Sequence, residues 1–107
     1  MHVRTITPGD ALREAALVLK TQGWIQGLDS NSNGFCLIGA MIQARIVHLD
    51  LFPEARQEVL DAHSEAYNRL YLELEDTDYN DTISGWNDDP DRTKDEVVEL
   101  LERVSRG

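Results

Sequence analysis

The chain has 107 residues, a formal net charge of -10 and a sequence pI of about 4.5. That length allows one domain with a single core and little apolar material to spare. So acidic a surface repels nucleic-acid phosphates, which argues against direct DNA or RNA binding, and it suits solubility, cations or basic partners. Cys36 is the only cysteine, so no internal disulfide can form, as expected of a reducing, cytoplasmic setting. Asp10 and Glu14 stand where a signal peptide would need its hydrophobic region, so no leader is read.

Residues 1–9 read as an extended arm, with Val3, Thr5 and Ile6 its strand-like members. Thr7-Pro8-Gly9-Asp10 then turns into a first helix. Leu12, Ala15, Ala16 and Leu19 recur at helical spacing, which predicts a helix from about Asp10 to Gln22, stopped by Gly23. Trp24-Ile25-Gln26-Gly27 is too short for a helix between glycines. The polar loop Asp29-Ser30-Asn31-Ser32-Asn33-Gly34 has strong turn chemistry, and Asn33 or Gly34 is expected to cap the second helix.

The stretch from Gly34 to Leu49 is apolar around most of a helical wheel. Leu37, Ala40, Met41, Ala44 and Val47 share one face, while Ile38, Ile42, Ile46 and Leu49 share another. A helix without a clean polar face is usually the buried centre of a domain, and this one is expected to be the core helix. It is too short to span a bilayer and is interrupted by Gln43 and Arg45, so no membrane role is expected.

Pro53 fits the first turn of a third helix, the longest, ending near Leu74. Ala55, Val59, Ala62, Ala66, Leu70 and Leu74 form its apolar set, flanked by Leu60, His63, Tyr67 and Tyr71. If those flanking residues make a second apolar face, a homodimer is plausible. The run from Glu73 to Asp91 is acidic; within it Glu75 to Thr82 has poor helix propensity, and Ile83 to Pro90, which carries Trp86, reads as a structured loop. Thr93-Lys94-Asp95-Glu96 then fits a capping box, and Val97, Leu100, Leu101 and Val104 stripe the last helix. The expected fold is mostly α: a single domain over residues 1–107, a bundle of about four helices around a buried central helix, with two irregular tryptophan-bearing loops.

Several groupings could carry chemistry. Cys36 lies at the start of the central helix, where backbone N–H groups lower a thiol pKa. A nucleophile also needs a base. His48 lies twelve residues on, roughly 18 Å along the axis, so it cannot serve; His63 on the long helix could approach, His2 lies in the terminal arm, and no Cys–His pairing is forced. The structural alternative is a small buried residue at a tight helix entry. The loop from Asp29 resembles the first half of a calcium-binding loop, but the position that should hold a bidentate Glu is Ala40. A second alternation, Asp76-Thr77-Asp78-Tyr79-Asn80, has Asp81 where Gly is needed and Asn87 where Glu is needed. No metal or cofactor is therefore expected. Trp24-Ile25-Gln26 and Trp86-Asn87-Asp88 each set a large aromatic beside short polar groups in irregular backbone. That suits a small-molecule pocket, and equally two loops pinned to a core. The candidate site is Trp24, Gln26, Cys36, Trp86, Asn87 and Asp88.

Three pieces read together carry a family resemblance: Gly23-Trp24-Ile25-Gln26-Gly27, then Gly34-Phe35-Cys36-Leu37-Ile38-Gly39-Ala40, then Trp86-Asn87-Asp88 with Arg92-Thr93 and Glu96-Val97. In this combination the chain resembles the DUF6197-like family of small actinobacterial and actinophage proteins. The resemblance implies a short, cytosolic, mostly helical protein and brings no activity, ligand or catalytic residue. The expected function is a binding or interaction module, taking a basic protein partner or a small molecule around Trp24, Cys36 and Trp86. The alternatives are a small enzyme using Cys36 or Asp88, and an acidic phage-type inhibitor that mimics nucleic acid.

Overall fold

Local signals place the helix ends. A computed structural model of the chain describes residues 6–27, 30–75 and 83–107. The first five residues of the arm, positions 28–29 of the polar loop and 76–82 of the acidic run lie outside the described residues, and with them the alternation from Asp76 to Asn80. Helix α1 (Pro8–Gln22) starts two residues earlier than the periodicity suggests, because Thr7 and Asp10 form a capping box. The Thr7 hydroxyl accepts from the Asp10 amide at 3.1 Å, and the Asp10 carboxylate accepts from the Thr7 amide at 3.0 Å. The Gly23 amide closes the other end on the Leu19 carbonyl at 3.0 Å.

A small hairpin comes next. Strand β1 (Ser30–Asn31) pairs antiparallel with β2 (Gly34–Phe35), Ser30 opposite Phe35 and Asn31 opposite Gly34. Asn33 and Gly34 therefore belong to the hairpin and do not cap the next helix, whose N-cap is Cys36. Helix α2 (Leu37–Leu51) leads through a 3-10 turn (Pro53–Ala55) into α3 (Arg56–Glu75), the longest element. The Trp86 segment, expected from the sequence to be a loop, is a five-residue helix, α4 (Ile83–Asn87). Helix α5 (Lys94–Arg106) opens on the expected Thr93–Glu96 capping box.

The bundle has a central helix, and it is α1. It packs against α5, α2 and α3. Ala11, Leu12, Ala15, Ala16, Val18 and Leu19 are all buried. The alanines let neighbouring backbones come close, while each buried leucine contributes about 1.5–3 kcal/mol. Helix α2 buries one face through Leu37, Ala40, Met41, Ala44 and His48. Its other face is only partly covered, with Ile42 38% and Ile46 52% exposed. The apolar pattern of α2 thus serves two purposes: one stripe fills the core, and the other lies at the surface. Helix α5 lays Val97, Val98, Leu100, Leu101 and Val104 into the core, and the Lys20–Glu102 and Arg103–Glu73 ion pairs tie its outer edge to α1 and α3. The radius of gyration, 13.6 Å, is close to the value of about 13 Å for a compact domain of this length, which fits one mostly helical domain.

Candidate functional site

Four of the sequence-predicted residues meet at one node. Backbone pairing sets it up: the Phe35 amide donates to the Gly23 carbonyl at 3.1 Å, and the Ile25 amide donates to the Phe35 carbonyl at 3.0 Å. Gly23 and Gly34 cross so closely that a Cβ on Gly34 would lie 2.3 Å from the Gly23 carbonyl carbon. Both have positive φ, 97° and 144°, so glycine is required twice over. This crossing carries Trp24 to the N-terminus of α2, where Asn87 meets it.

Asn87 is fully buried. Its Oδ1 accepts from Trp24 Nε1 at 2.7 Å and from the Leu37 amide at 3.1 Å. It therefore caps α2 from a separate element, satisfying an amide that the helix leaves open. Its Nδ2 donates to the Ile25 carbonyl at 3.2 Å and to Asp88 Oδ1 at 3.0 Å. An asparagine side chain offers two acceptor sites and two donors, and here all four are engaged. Asp88 Oδ1 also accepts from the Gly27 amide at 2.9 Å. Gln26 Nε2 donates to the carbonyls of Asn87 and Asp89, at 3.0 and 2.7 Å. Trp86 is buried, with the Arg92 guanidinium 3.8 Å above its ring, and Arg92 Nε donates to the Trp86 carbonyl. The node clamps the segment after α1 onto α4 and α2, and its polar groups bond to one another.

Cys36 sits beside this node, buried, with Sγ accepting from the Gly39 amide at 3.3 Å as the N-cap of α2. His63, the helical histidine expected to be able to approach it, instead hydrogen-bonds His48: His48 Nδ1 and His63 Nε2 are 2.9 Å apart.

That histidine pair is the feature that sequence reasoning misses. His48 and His63 are 6% and 5% exposed. Glu14 Oε1 lies 3.8 Å from His48 Nε2. The two rings meet edge to face at 5.0 Å. Burial, then the repulsion that a second charge beside His48 and Arg45 would meet, push the His63 pKa down from 6.5 to about 4, so its imidazole is neutral at physiological pH. In a neutral His48 the Glu14 carboxylate favours the proton on Nε2, which leaves His48 Nδ1 as acceptor and His63 Nε2–H as donor. The lone pair of His63 then resides on Nδ1, and that buried nitrogen has no hydrogen-bond partner among the described residues. Both histidines continue apolar faces, His48 four residues after Ala44 and His63 four after Val59. That placement is the signal available in the sequence.

His63 also lines a groove of about 430 Å³ between α2 and α3. Ile38, Met41, Ile42 and Arg45 form one wall, and Leu60, His63, Ser64, Tyr67 and Asn68 the other. Each wall repeats at helical spacing, so two outward faces make the cleft. His48 lines a separate, smaller hollow of about 320 Å³ with Glu14, Leu17 and Phe52. A third hollow, of about 530 Å³, lies near the C-terminus, but its charged groups are paired, Glu73 with Arg103 and Arg69 with Glu65. Among the described residues no three His, Cys, Asp or Glu side chains converge as metal ligands, and no helix is long and apolar enough to cross a membrane.

Comparison with curated proteins and with solved structures yields no match. The sequence model of one family, described as a family of unknown function, matches residues 3–106. The match covers nearly the whole chain, including Trp24, the α2 entry and the Trp86–Asn87–Asp88 segment, so the chain belongs to the DUF6197 family.

Proposed function

We propose that the chain is a binding module whose ligand site is the groove between α2 and α3. The observation that carries this reading is a cleft of about 430 Å³ with apolar walls and a few polar groups converging on it. Small-molecule sites run from about 300 to 1,000 Å³ with this kind of lining. Ile42 and Tyr67 are 38% and 42% exposed, which leaves apolar area for a ligand to cover. The tryptophan–asparagine node favours a supporting role, because its hydrogen-bonding groups already have partners.

Titration of the 15N-labelled protein with a small neutral aromatic, para-ethylphenol, tests the reading. Amide shifts are expected to cluster on the groove-facing turns of α2 and α3, and Ile42→Lys, at a partly exposed wall position, is expected to abolish them while the chain stays folded. Shifts centred on Trp24, Cys36 and Asn87 would move the site to the node and overturn the groove. A second copy of the chain is the competing occupant of the same face, since Ile46 and Tyr71 extend it. Sedimentation equilibrium separates the two: a dimer lost in Ile42→Lys would make the groove an interface.

A further inference from the structure

We infer that the groove selects a neutral ligand with an apolar body and one O–H or N–H donor, which His63 Nδ1 receives. The inference rests on the groove being the binding site and adds the chemistry of what it takes. The first support is the unpartnered nitrogen. His63 is 5% exposed and is one of the residues lining the groove, and its Nδ1 has no hydrogen-bond partner among the described residues. Buried polar atoms in folded proteins nearly always have a partner, so one left open beside a cleft marks a place for a ligand atom.

The second support is the direction of that bond. Glu14 lies 3.8 Å from His48 Nε2, beyond hydrogen-bond reach, and its charge draws the single proton of a neutral His48 to that nitrogen; His48 Nδ1, 2.9 Å from His63 Nε2, then accepts from it. His63 Nδ1 is then a lone pair and can only accept. A ligand oxygen without a hydrogen, such as an ether or ketone, would face that lone pair unfavourably. An alcohol, phenol, indole or amide N–H would satisfy it.

The third support is charge. Arg45 stands in the groove wall, and no ion pair engages it among the described residues. Its guanidinium disfavours a cation in the cleft, while the net charge of -10 disfavours an anion approaching from solution. Neutral molecules meet neither barrier. Ile38, Ile42 and Leu60 supply the apolar contact, and the face of Tyr67 can stack on a flat ring. Nδ1 itself is covered, so binding of a ligand's donor there requires a local side-chain shift.

Matched probes test this: para-ethylphenol against para-ethylanisole, and indole against N-methylindole, each differing by the donor hydrogen. Binding is followed by amide shifts of the full chain, and the state of the ring by long-range proton–15N correlation of the histidines. The donor-bearing probe is expected to bind about tenfold tighter than its methylated partner. The free protein is expected to show an unprotonated His63 Nδ1 whose resonance moves with phenol and not with anisole. Equal affinity within each pair, with shifts still in the groove, overturns the donor requirement and leaves the binding site standing. A proton found on Nδ1 in the free protein also overturns it, because the nitrogen would then donate. Failure of all four probes to perturb the groove at millimolar concentration sinks this inference and the groove reading together.

Discussion

Acid should unfold this protein through His63 before its carboxylates respond. In the folded chain the ring sits beside His48 and near Arg45, and its pKa is lowered from 6.5 to about 4. The unfolded chain therefore takes up a proton on this ring at higher pH than the folded chain does. The associated stability is complete above the unfolded value of 6.5 and is lost as pH falls towards about 4. The full shift corresponds to about 3 kcal/mol at roughly 1.4 kcal/mol per unit. Between about pH 7 and about pH 5 the expected loss is about 2 kcal/mol. Asp10 and Glu96, whose carboxyls are held below their usual range by their capping partners, stay ionised in the folded chain across that window, and with ordinary values of 3.8 and 4.5 they add slope only towards its acid end, equally with or without His63. Urea unfolding at several pH values, for the native chain and for His63→Phe, isolates the effect. The variant should lose about 2 kcal/mol of pH dependence over the same window. Equal slopes in the two proteins, or a His63 ring that titrates near 6.5, would refute the reasoning.

The node makes further demands. Asn87→Ala leaves Trp24 Nε1, the Leu37 amide and the Ile25 carbonyl without their partner, and should cost about 2–4 kcal/mol in urea unfolding; a loss under about 1 kcal/mol would show that the network carries little stability. Gly34→Ala forces a Cβ to 2.3 Å from the Gly23 carbonyl carbon and should lower stability by more than about 2 kcal/mol. Gly27→Ala, at φ 84° with open space around it, should cost only about 1–2 kcal/mol, from the left-handed backbone alone. Cys36→Ser retains an N-cap acceptor and should fold with nearly native stability, whereas Cys36→Val should lose about 1 kcal/mol; the reverse order would mean that the thiol acts through packing and not as a cap.

Interactions between near neighbours in the chain are legible in the sequence alone. The capping box of Thr93 and Glu96, the stop at Gly23, the break at Pro53 and the apolar stripe of α5 all act over short spans of chain. The helices are readable for that reason, and so is a mostly helical single domain. The same local view puts the cap of α2 at Asn33 or Gly34. It misses Cys36 because a neighbouring hairpin, through the Ile25–Phe35 and Phe35–Gly23 bonds, claims those residues. Tertiary structure decides the rest. The apolar composition of α2 marks it as the central helix, but composition does not say which neighbours arrive, and α1, with its small alanines, packs more extensively, chiefly against α5 and α2. The two tryptophan segments stand out in the sequence as a pair, and the fold brings them together. Whether their polar groups face a ligand or one another is set by Asn87, whose partners Trp24, Ile25 and Leu37 lie 63, 62 and 50 positions away. The histidine pair and the α2–α3 groove have the same origin. A hydrogen bond between rings on two helices, and a cleft between two outward faces, exist only once those helices are set at a fixed distance by the core beneath them.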